Sequence, residues 1–167
     1  MSDPLTAYLQ DHLAGSVQAV QLVEFLRDHH KDNALGAFAT DLLNEIKADQ
    51  DVLQGLAQKV GSGSSGLKEL AAWFTEKVVR LKLKVENKDD LGTFESLEFL
   101  ALGIQGKLAL WRVLDEIAAL EVRLRGIDLK QLAARAETQH ALVEGRRLEI
   151  GRAGLSRGHS GQSGATE

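Results

Sequence analysis

The sequence contains no cysteine and only one proline among its 167 residues. The absence of cysteine excludes disulfides, thiolate catalysis, iron–sulfur clusters and cysteine-ligated zinc sites. Histidine and carboxylate side chains are therefore the plausible ligands for any metal ion. The single proline, Pro4, follows Asp3, and this pair is typical of a helix N-cap and first helical position.

An excess of positive charge and a long hydrophobic run are also absent. The net charge of −4 argues against general nucleic-acid binding, because recognition of phosphates needs a cationic surface. No stretch approaches the ~20 uncharged apolar residues of a membrane span. The start of the chain lacks the cationic and apolar regions of a secretory signal. We therefore expect a cytoplasmic protein that binds neither nucleic acid nor membrane.

The composition is that of an ordinary globular protein, with 44% hydrophobic and 26% charged residues. A chain of this length is expected to fold around one core. Near its end the sequence turns to Gly, Ser, Arg and Thr without apolar periodicity. We predict a single helical-bundle domain over residues 1–153 and a disordered Gly/Ser-rich tail over residues 154–167.

Apolar residues recur at helical spacing in five segments, which polar or glycine-rich breaks separate. The predicted helices span about 4–29, 35–60, 67–85, 91–124 and 129–150. Gly126 supplies a stop before the last helix, and Asp128 with Gln131 supplies a start resembling a capping box. No segment shows the alternation typical of a strand, so the predicted class is all-α.

The connections between helices 1 and 2 and between helices 4 and 5 are short, which predicts two antiparallel hairpins. Helix 3, at ~30 Å, is long enough to return the chain along the length of a bundle. We therefore predict a ferritin-like antiparallel four-helix bundle of helices 1, 2, 4 and 5, with helix 3 as an additional crossover helix. A simple up-and-down array of five helices is the alternative.

Three stretches of the chain also carry a resemblance to known proteins. They are YLQDHLAG at 8–15, WFTEKVVRLK at 73–82 and GKLALW at 106–111. These stretches resemble a group of uncharacterised bacterial proteins usually described as ferritin-like, and the resemblance covers about residues 4–153. It implies a fold and no particular activity.

His12, Asp49, Asp115 and His140 interrupt the apolar stripes of the predicted helices. Burial without partners costs such groups several kcal/mol, so they must pair with one another, hold a metal ion or lie near water. Counting ~1.5 Å per residue from the predicted turns brings them to one level, together with Arg112, if helix 3 is a crossover. The sequence therefore predicts a polar core network of His12, Asp49, Arg112, Asp115 and His140.

A metal site is a second interpretation of the same layer. Glu137 and His140 form the only Glu-x-x-His motif of the chain, and this spacing places both side chains on one helix face. Di-iron bundles use two such motifs, so the match is partial. The candidate ligands for Fe, Mn or Zn are His12, Asp49, Glu137 and His140. Arg112 argues against the metal, because a guanidinium can pair with the carboxylates in its place.

Two hypotheses about function follow. The sequence shows no glycine-rich phosphate loop, Ser/His/Asp set or nucleophile elbow, so we favour a non-catalytic bundle without a cofactor that acts through its surface or by self-association. The alternative is a degenerate di-iron-like protein that binds a divalent metal. Apolar positions such as Phe25 and Phe99 allow a homo-oligomer.

Two further features of the sequence predict which side chains face solvent and which face the core. Lys77, Arg80, Lys84 and Lys88 form a basic stripe on helix 3, which is most typical of a solvated helix face. The two tryptophans, Trp73 and Trp111, are expected to pack in the core.

Overall fold

The computed structural model describes residues 3–61, 67–86 and 90–156. Over these residues the chain forms five α-helices and one short 3-10 helix and contains no strand, which confirms the all-α class. The α-helices are α1 (Pro4–His29), α2 (Ala34–Val60), α3 (Leu67–Glu86), α4 (Asp90–Ile117) and α5 (Leu129–Leu155). Among these helices, none combines the length and the apolar character that crossing a bilayer requires.

Helix starts follow from local side-chain chemistry. Pro4 occupies the first turn of α1. The Asn33 side chain accepts a hydrogen bond from the Leu35 amide at 2.9 Å, and the Asp128 side chain accepts one from the Gln131 amide at 2.9 Å. Such bonds satisfy amide groups that have no partner inside the helix. The predicted starts of α1, α2 and α5 are therefore confirmed to within a residue.

The end of α4 differs from the prediction. The backbone amides of Leu120 and Glu121 both donate to the Ile117 carbonyl at 3.0 Å, and the 3-10 helix Val122–Leu124 follows this turn. The prediction of one continuous helix to Leu124 is therefore wrong. Apolar residues continue at helical spacing through this segment, so their spacing alone does not reveal that the backbone leaves the helix.

The end of α5 also differs, because the helix continues past Ile150 to Leu155. A Cβ atom added at Gly151 would lie 2.7 Å from the Phe94 ring, so the absence of a side chain lets α5 approach the start of α4 closely. Gly151, at the beginning of the glycine-rich segment, is therefore part of the surface on which α5 packs against α4. Residues 157–167 of the predicted tail lie outside the described residues.

The helices pack as two antiparallel hairpins with one helix laid across them. α1 pairs with α2 along its length, α4 pairs with α5, and α1 also contacts α4. α3 packs against α1 and α4. The core between them is almost entirely aliphatic, and burial of this surface is the main source of stability. Its fully buried members include Leu9, Leu22, Leu26, Leu56, Leu97, Leu100, Leu110, Trp111 and Leu114.

Contacts at the two ends fix the direction of each helix. Arg123, in the α4–α5 connection, donates to Asp3 at 2.7 Å and to the Val60 carbonyl at 3.4 Å, so this connection lies where α1 begins and α2 ends. At the opposite end His30, in the α1–α2 turn, lies 3.4 Å from Thr93 near the start of α4. The two turns are therefore at opposite ends of the molecule.

The inner face of α3 is apolar, and its outer face is exposed. Val78, Leu81 and Val85 are each 1% exposed against the neighbouring helices. Trp111 is buried as predicted, but Trp73 is 61% exposed, so its expected place in the core is wrong. Lys88, the last residue of the predicted basic stripe, lies outside the described residues.

Candidate functional site

A cluster of charged and amide side chains lies where α2, α4 and α5 meet, and its centre is buried. We call it the charged layer, and its members are Glu45, Asp49, Lys107, Arg135 and Gln139. Asp49 is 2% exposed and Gln139 is 0% exposed, whereas the other three reach toward solvent. The layer is the most polar part of an otherwise aliphatic interior.

Every member of the charged layer is held by hydrogen bonds or ion pairs. The Lys107 ammonium donates to Asp49 Oδ2 at 2.5 Å and also to Gln139 Oε1. Arg135 forms an ion pair with Asp49 Oδ1. The Gln139 amide nitrogen donates to Glu45 at 3.0 Å and to Asp49 at 3.2 Å. Both oxygens of the buried carboxylate are thus occupied by donors from α4 and α5.

The electrostatics of the layer are balanced. Two carboxylates, Glu45 and Asp49, face two cations, Lys107 and Arg135, so their formal charges cancel. Burial lowers the pKa of Lys107, and the neighbouring Asp49 carboxylate opposes that shift. Charges removed from water in this way are tolerated when partners satisfy them, and removal of one partner leaves another charge uncompensated. The layer therefore connects three helices through mutually dependent contacts.

Of the five residues in the charged layer, Asp49 alone was predicted from the sequence. Lys107 lies about two helical turns from both Leu100 and Leu114, which are buried on the same face of α4, and this spacing is the signal that could have revealed it. A lysine at such a position buries its methylene stem and carries its charge to a partner. On α5, Gln139 lies one turn before the buried Val143, whereas the polar residue predicted for the core was its neighbour, His140.

His12 does not reach the charged layer. Its ring is half-buried and meets the Tyr8 ring edge-on, with 4.7 Å between the centroids. Burial lowers the pKa of His12. The α1 residue that contacts α2 beside Asp49 is Ser16, whose hydroxyl accepts a hydrogen bond from Gln50 at 3.0 Å. Ser16 lies about one helical turn beyond His12, so counting residues from the turn placed the α1 residue at this level about one turn too early.

Arg112, Asp115, Glu137 and His140 also lie apart from the charged layer. Arg112 and Glu137 form an ion pair of 2.6 Å whose side chains are 60% and 53% exposed. Arg112 and Asp115 line a shallow surface depression of about 610 Å³ on α4, and His140 is half-buried. Because α4 ends at Ile117, the residue level with Gln139 is Lys107. A helix that continued to Leu124, as predicted, would instead place Arg112 and Asp115 level with Gln139.

The four candidate metal ligands are not brought together. Within residues 3–61, 67–86 and 90–156, no three His, Asp or Glu side chains form a group that could hold a metal ion. His12, Asp49, Glu137 and His140 lie in the separate environments described above, and the Asp49 carboxylate is bound by two cations. The metal site stays a prediction from the sequence.

A second charged cluster lies at the end of the bundle where the chain enters α1. Arg123 binds Asp3 at 2.7 Å and Glu121 at 2.6 Å, and its backbone amide also donates to the Glu121 carboxylate at 3.0 Å. These hydrogen bonds from Arg123 lower the pKa of Glu121 from 4.5 to about 2. The cluster ties the α4–α5 connection to the start of α1.

We expect this cluster to weaken only in strong acid. Because the pKa of Glu121 is lowered in the fold, the carboxylate contributes stability that is complete above pH 4.5 and is lost as the pH falls toward about 2. Replacing Arg123 by glutamine should return the Glu121 pKa most of the way to 4.5, which an NMR titration of the side-chain carboxyl carbon would measure. Arg125→Gln, in the same connection, is the matched control and should leave that pKa unchanged.

Comparisons with protein-family models, with curated proteins and with solved structures find no match to this chain.

Proposed function

We propose that the protein is a non-catalytic, ferritin-like helical bundle in which the charged layer is structural, and that it acts through its surface by self-association. The observation that carries this proposal is the state of the Asp49 carboxylate, which two cations and an amide bind inside the bundle. A carboxylate held by strong charge-assisted bonds from two helices is suited to holding those helices together.

The pattern of helix contacts supports the ferritin-like arrangement. In such a fold the first hairpin lies against the second, and one long connection returns the chain between them. Here α1 contacts both α2 and α4, α4 contacts α5, and Asp49 on α2 reaches Arg135 and Gln139 on α5. α3 lies across α1 and α4 and runs between the two ends, as a crossover helix would.

The chemistry of the charged layer argues for a structural role over a metal centre. Di-iron bundles collect carboxylate and imidazole groups around the ions, and their positive charge balances the acids. In this protein Lys107 and Arg135 already supply two positive charges to Glu45 and Asp49. A divalent ion added at Asp49 would lie close to both cations, and this repulsion is strong in a buried site, where the dielectric constant is low.

Metal analysis tests the proposal directly. We expect untagged protein from cultures supplemented with Fe, Mn and Zn to carry far less than one ion per chain by elemental analysis. Chelation should leave the melting temperature unchanged, because only a ligand bound to the folded state adds to its stability. Substitutions His12→Ala and His140→Ala should change neither the metal content nor the response to chelator.

The opposite results would establish the metal-binding alternative. One or two ions per chain, a melting temperature that falls on chelation, and loss of both properties in His140→Ala would together overturn the structural role. Arg112→Gln serves as a matched control, because its exposed side chain pairs with Glu137 and should affect neither measurement.

A further inference from the structure

The outer face of α3 carries large apolar side chains that are at least half exposed. Trp73 is 61% exposed, Leu83 is 55% exposed and Val79 is 50% exposed, whereas Val78, Leu81 and Val85 on the inner face are buried. A helix on the surface of a bundle normally places polar residues opposite its buried stripe. The outer face of α3, directed away from α1 and α4, therefore carries large apolar side chains beside its charged ones.

The residues along this outer face have the spacing of a coiled-coil seam. Trp73, Glu76, Arg80 and Leu83 follow one another at intervals of three, four and three residues, which is the spacing of a and d positions, with apolar residues at the two ends and charged residues at the centre. We call these four residues the α3 seam. Within the chain Glu76 forms an ion pair with Arg80, and their side chains are 68% and 67% exposed. Both charges are thus available to a partner.

The α3 seam is complementary to itself when a second copy is turned end to end. A two-fold axis at the level of residue 78 places position 73 opposite position 83 and position 76 opposite position 80, because both pairs are centred on 78. Each Trp73 then meets the Leu83 of the other copy, and each Glu76 meets the Arg80 of the other copy. Closed two-fold contacts of this kind, in which one patch meets itself, are the commonest in oligomers.

We propose that the occupant of this face is a second copy of the chain, which forms an antiparallel two-fold dimer through the α3 seam. The inference rests on the proposed self-association and names its surface. Two Trp–Leu contacts would flank two Glu–Arg pairs, and Val79 would lie beside the axis at the edge of the contact. Lys77 lies on the other edge near the axis, where its ammonium group remains in water.

Charge favours a second copy over an anionic partner such as a lipid surface or an acidic peptide. The centre of the seam carries one acid and one base, so a uniformly negative partner would meet Glu76 as well as Arg80. A second copy offers the opposite charge at both positions. The contact covers about three turns of one helix on each side, which belongs to the class of small interfaces below about 1,200 Å² and to reversible association.

Sedimentation of the full chain over micromolar to millimolar concentrations tests the dimer. We expect a reversible monomer–dimer equilibrium in the wild-type protein. Glu76→Arg and Arg80→Glu, each alone, place like charges opposite each other across the axis and should raise the dimer Kd by about tenfold or more. The double variant with both substitutions restores the complementarity and should return the Kd to near its wild-type value.

Two controls separate the interface from effects on the fold. Each single substitution also breaks the exposed ion pair within α3, which contributes little to stability, so circular dichroism should show the wild-type melting temperature within about 2 °C. Arg146→Glu breaks a comparable exposed pair, with Glu149 on α5, and should leave the dimer Kd unchanged. Leu83→Ala should weaken the dimer, whereas Leu148→Ala, on α5 and 52% exposed, should not.

Three results would overturn this dimer. They are a chain that stays monomeric at every concentration, single charge variants that dimerise as the wild type does, and a double variant that fails to recover. Binding of the monomer to vesicles of anionic lipid would identify a membrane surface as the occupant instead. Because metal content is measured separately, a monomer without metal rejects the dimer and leaves the structural role of the charged layer in place.

Discussion

Replacing Asp49 by asparagine is expected to lower the free energy of unfolding by about 3–5 kcal/mol. The substitution keeps the shape of the side chain and removes its charge, so Lys107 and Arg135 are left facing each other without the carboxylate that separates them. Chemical denaturation near pH 7 measures the loss. Asp51→Asn, on the exposed side of the same helix, is the matched control and should change stability by less than about 0.5 kcal/mol.

A combined replacement distinguishes the cost of an orphaned charge from the contribution of the whole layer. Asp49→Leu, Lys107→Met, Arg135→Met and Gln139→Leu together remove the buried carboxylate and both cations and leave apolar side chains of similar size beside the exposed Glu45. Such exchanges of buried ion pairs are often neutral or stabilising by about 1–4 kcal/mol. We therefore expect the fourfold variant to be at least as stable as the wild type. A fourfold variant as unstable as Asp49→Asn would mean that the layer itself stabilises the fold.

This comparison also bears on why the layer exists. If hydrophobic residues fill the same space without loss of stability, the charges serve to specify how α2, α4 and α5 align, because each hydrogen bond of Asp49 is made at one register only. Aliphatic side chains alone would allow one helix to slide by a turn past its neighbours at a small cost in free energy. A buried carboxylate with partners on two other helices makes the slipped arrangements costly.

Local features of the fold were predictable because they depend on neighbouring residues. The start of α2 follows from Asn33 and the start of α5 follows from Asp128, since each cap acts over three residues. The end of α4 was not predictable in this way. Ala118, Ala119 and Leu120 are compatible with helix, and the turn that ends α4 depends on hydrogen bonds to the Ile117 carbonyl.

The height of each side chain along the bundle axis could not be predicted, because it is counted from the turns and any error in where a helix ends shifts it. Ser16 lies beside the level of Asp49 in place of His12, about one helical turn away, and the early end of α4 brings Lys107 in place of Arg112 to Gln139. A histidine on an apolar stripe draws attention as a polar interruption. A lysine is easily taken for a surface residue, although its long stem suits a buried position that ends at a carboxylate.

Surface interpretation was limited by a similar ambiguity. The seven-residue spacing that places Val78 and Val85 on the inner face of α3 also places Glu76 and Leu83 together on the outer face. When both faces of a helix carry large apolar side chains, the sequence alone does not show which face packs in the core. Phe25 and Phe99, expected to be available for association, are instead partly buried against the core.

Gly36→Ala is expected to destabilise the protein by about 1–3 kcal/mol through overpacking. A Cβ atom at this position would lie 2.1 Å from the His30 carbonyl oxygen, and that oxygen is fixed in the α1–α2 turn by the Asn33 amide at 3.0 Å. The start of α2 must therefore move away from the turn, which disturbs the pairing of α1 with α2. Gly55→Ala in the same helix meets no atom within 4 Å and should instead stabilise by about 0.5–1 kcal/mol. Thermal unfolding of both variants measures the difference, and equal melting temperatures would show that α1 and α2 are not held this closely at their turn.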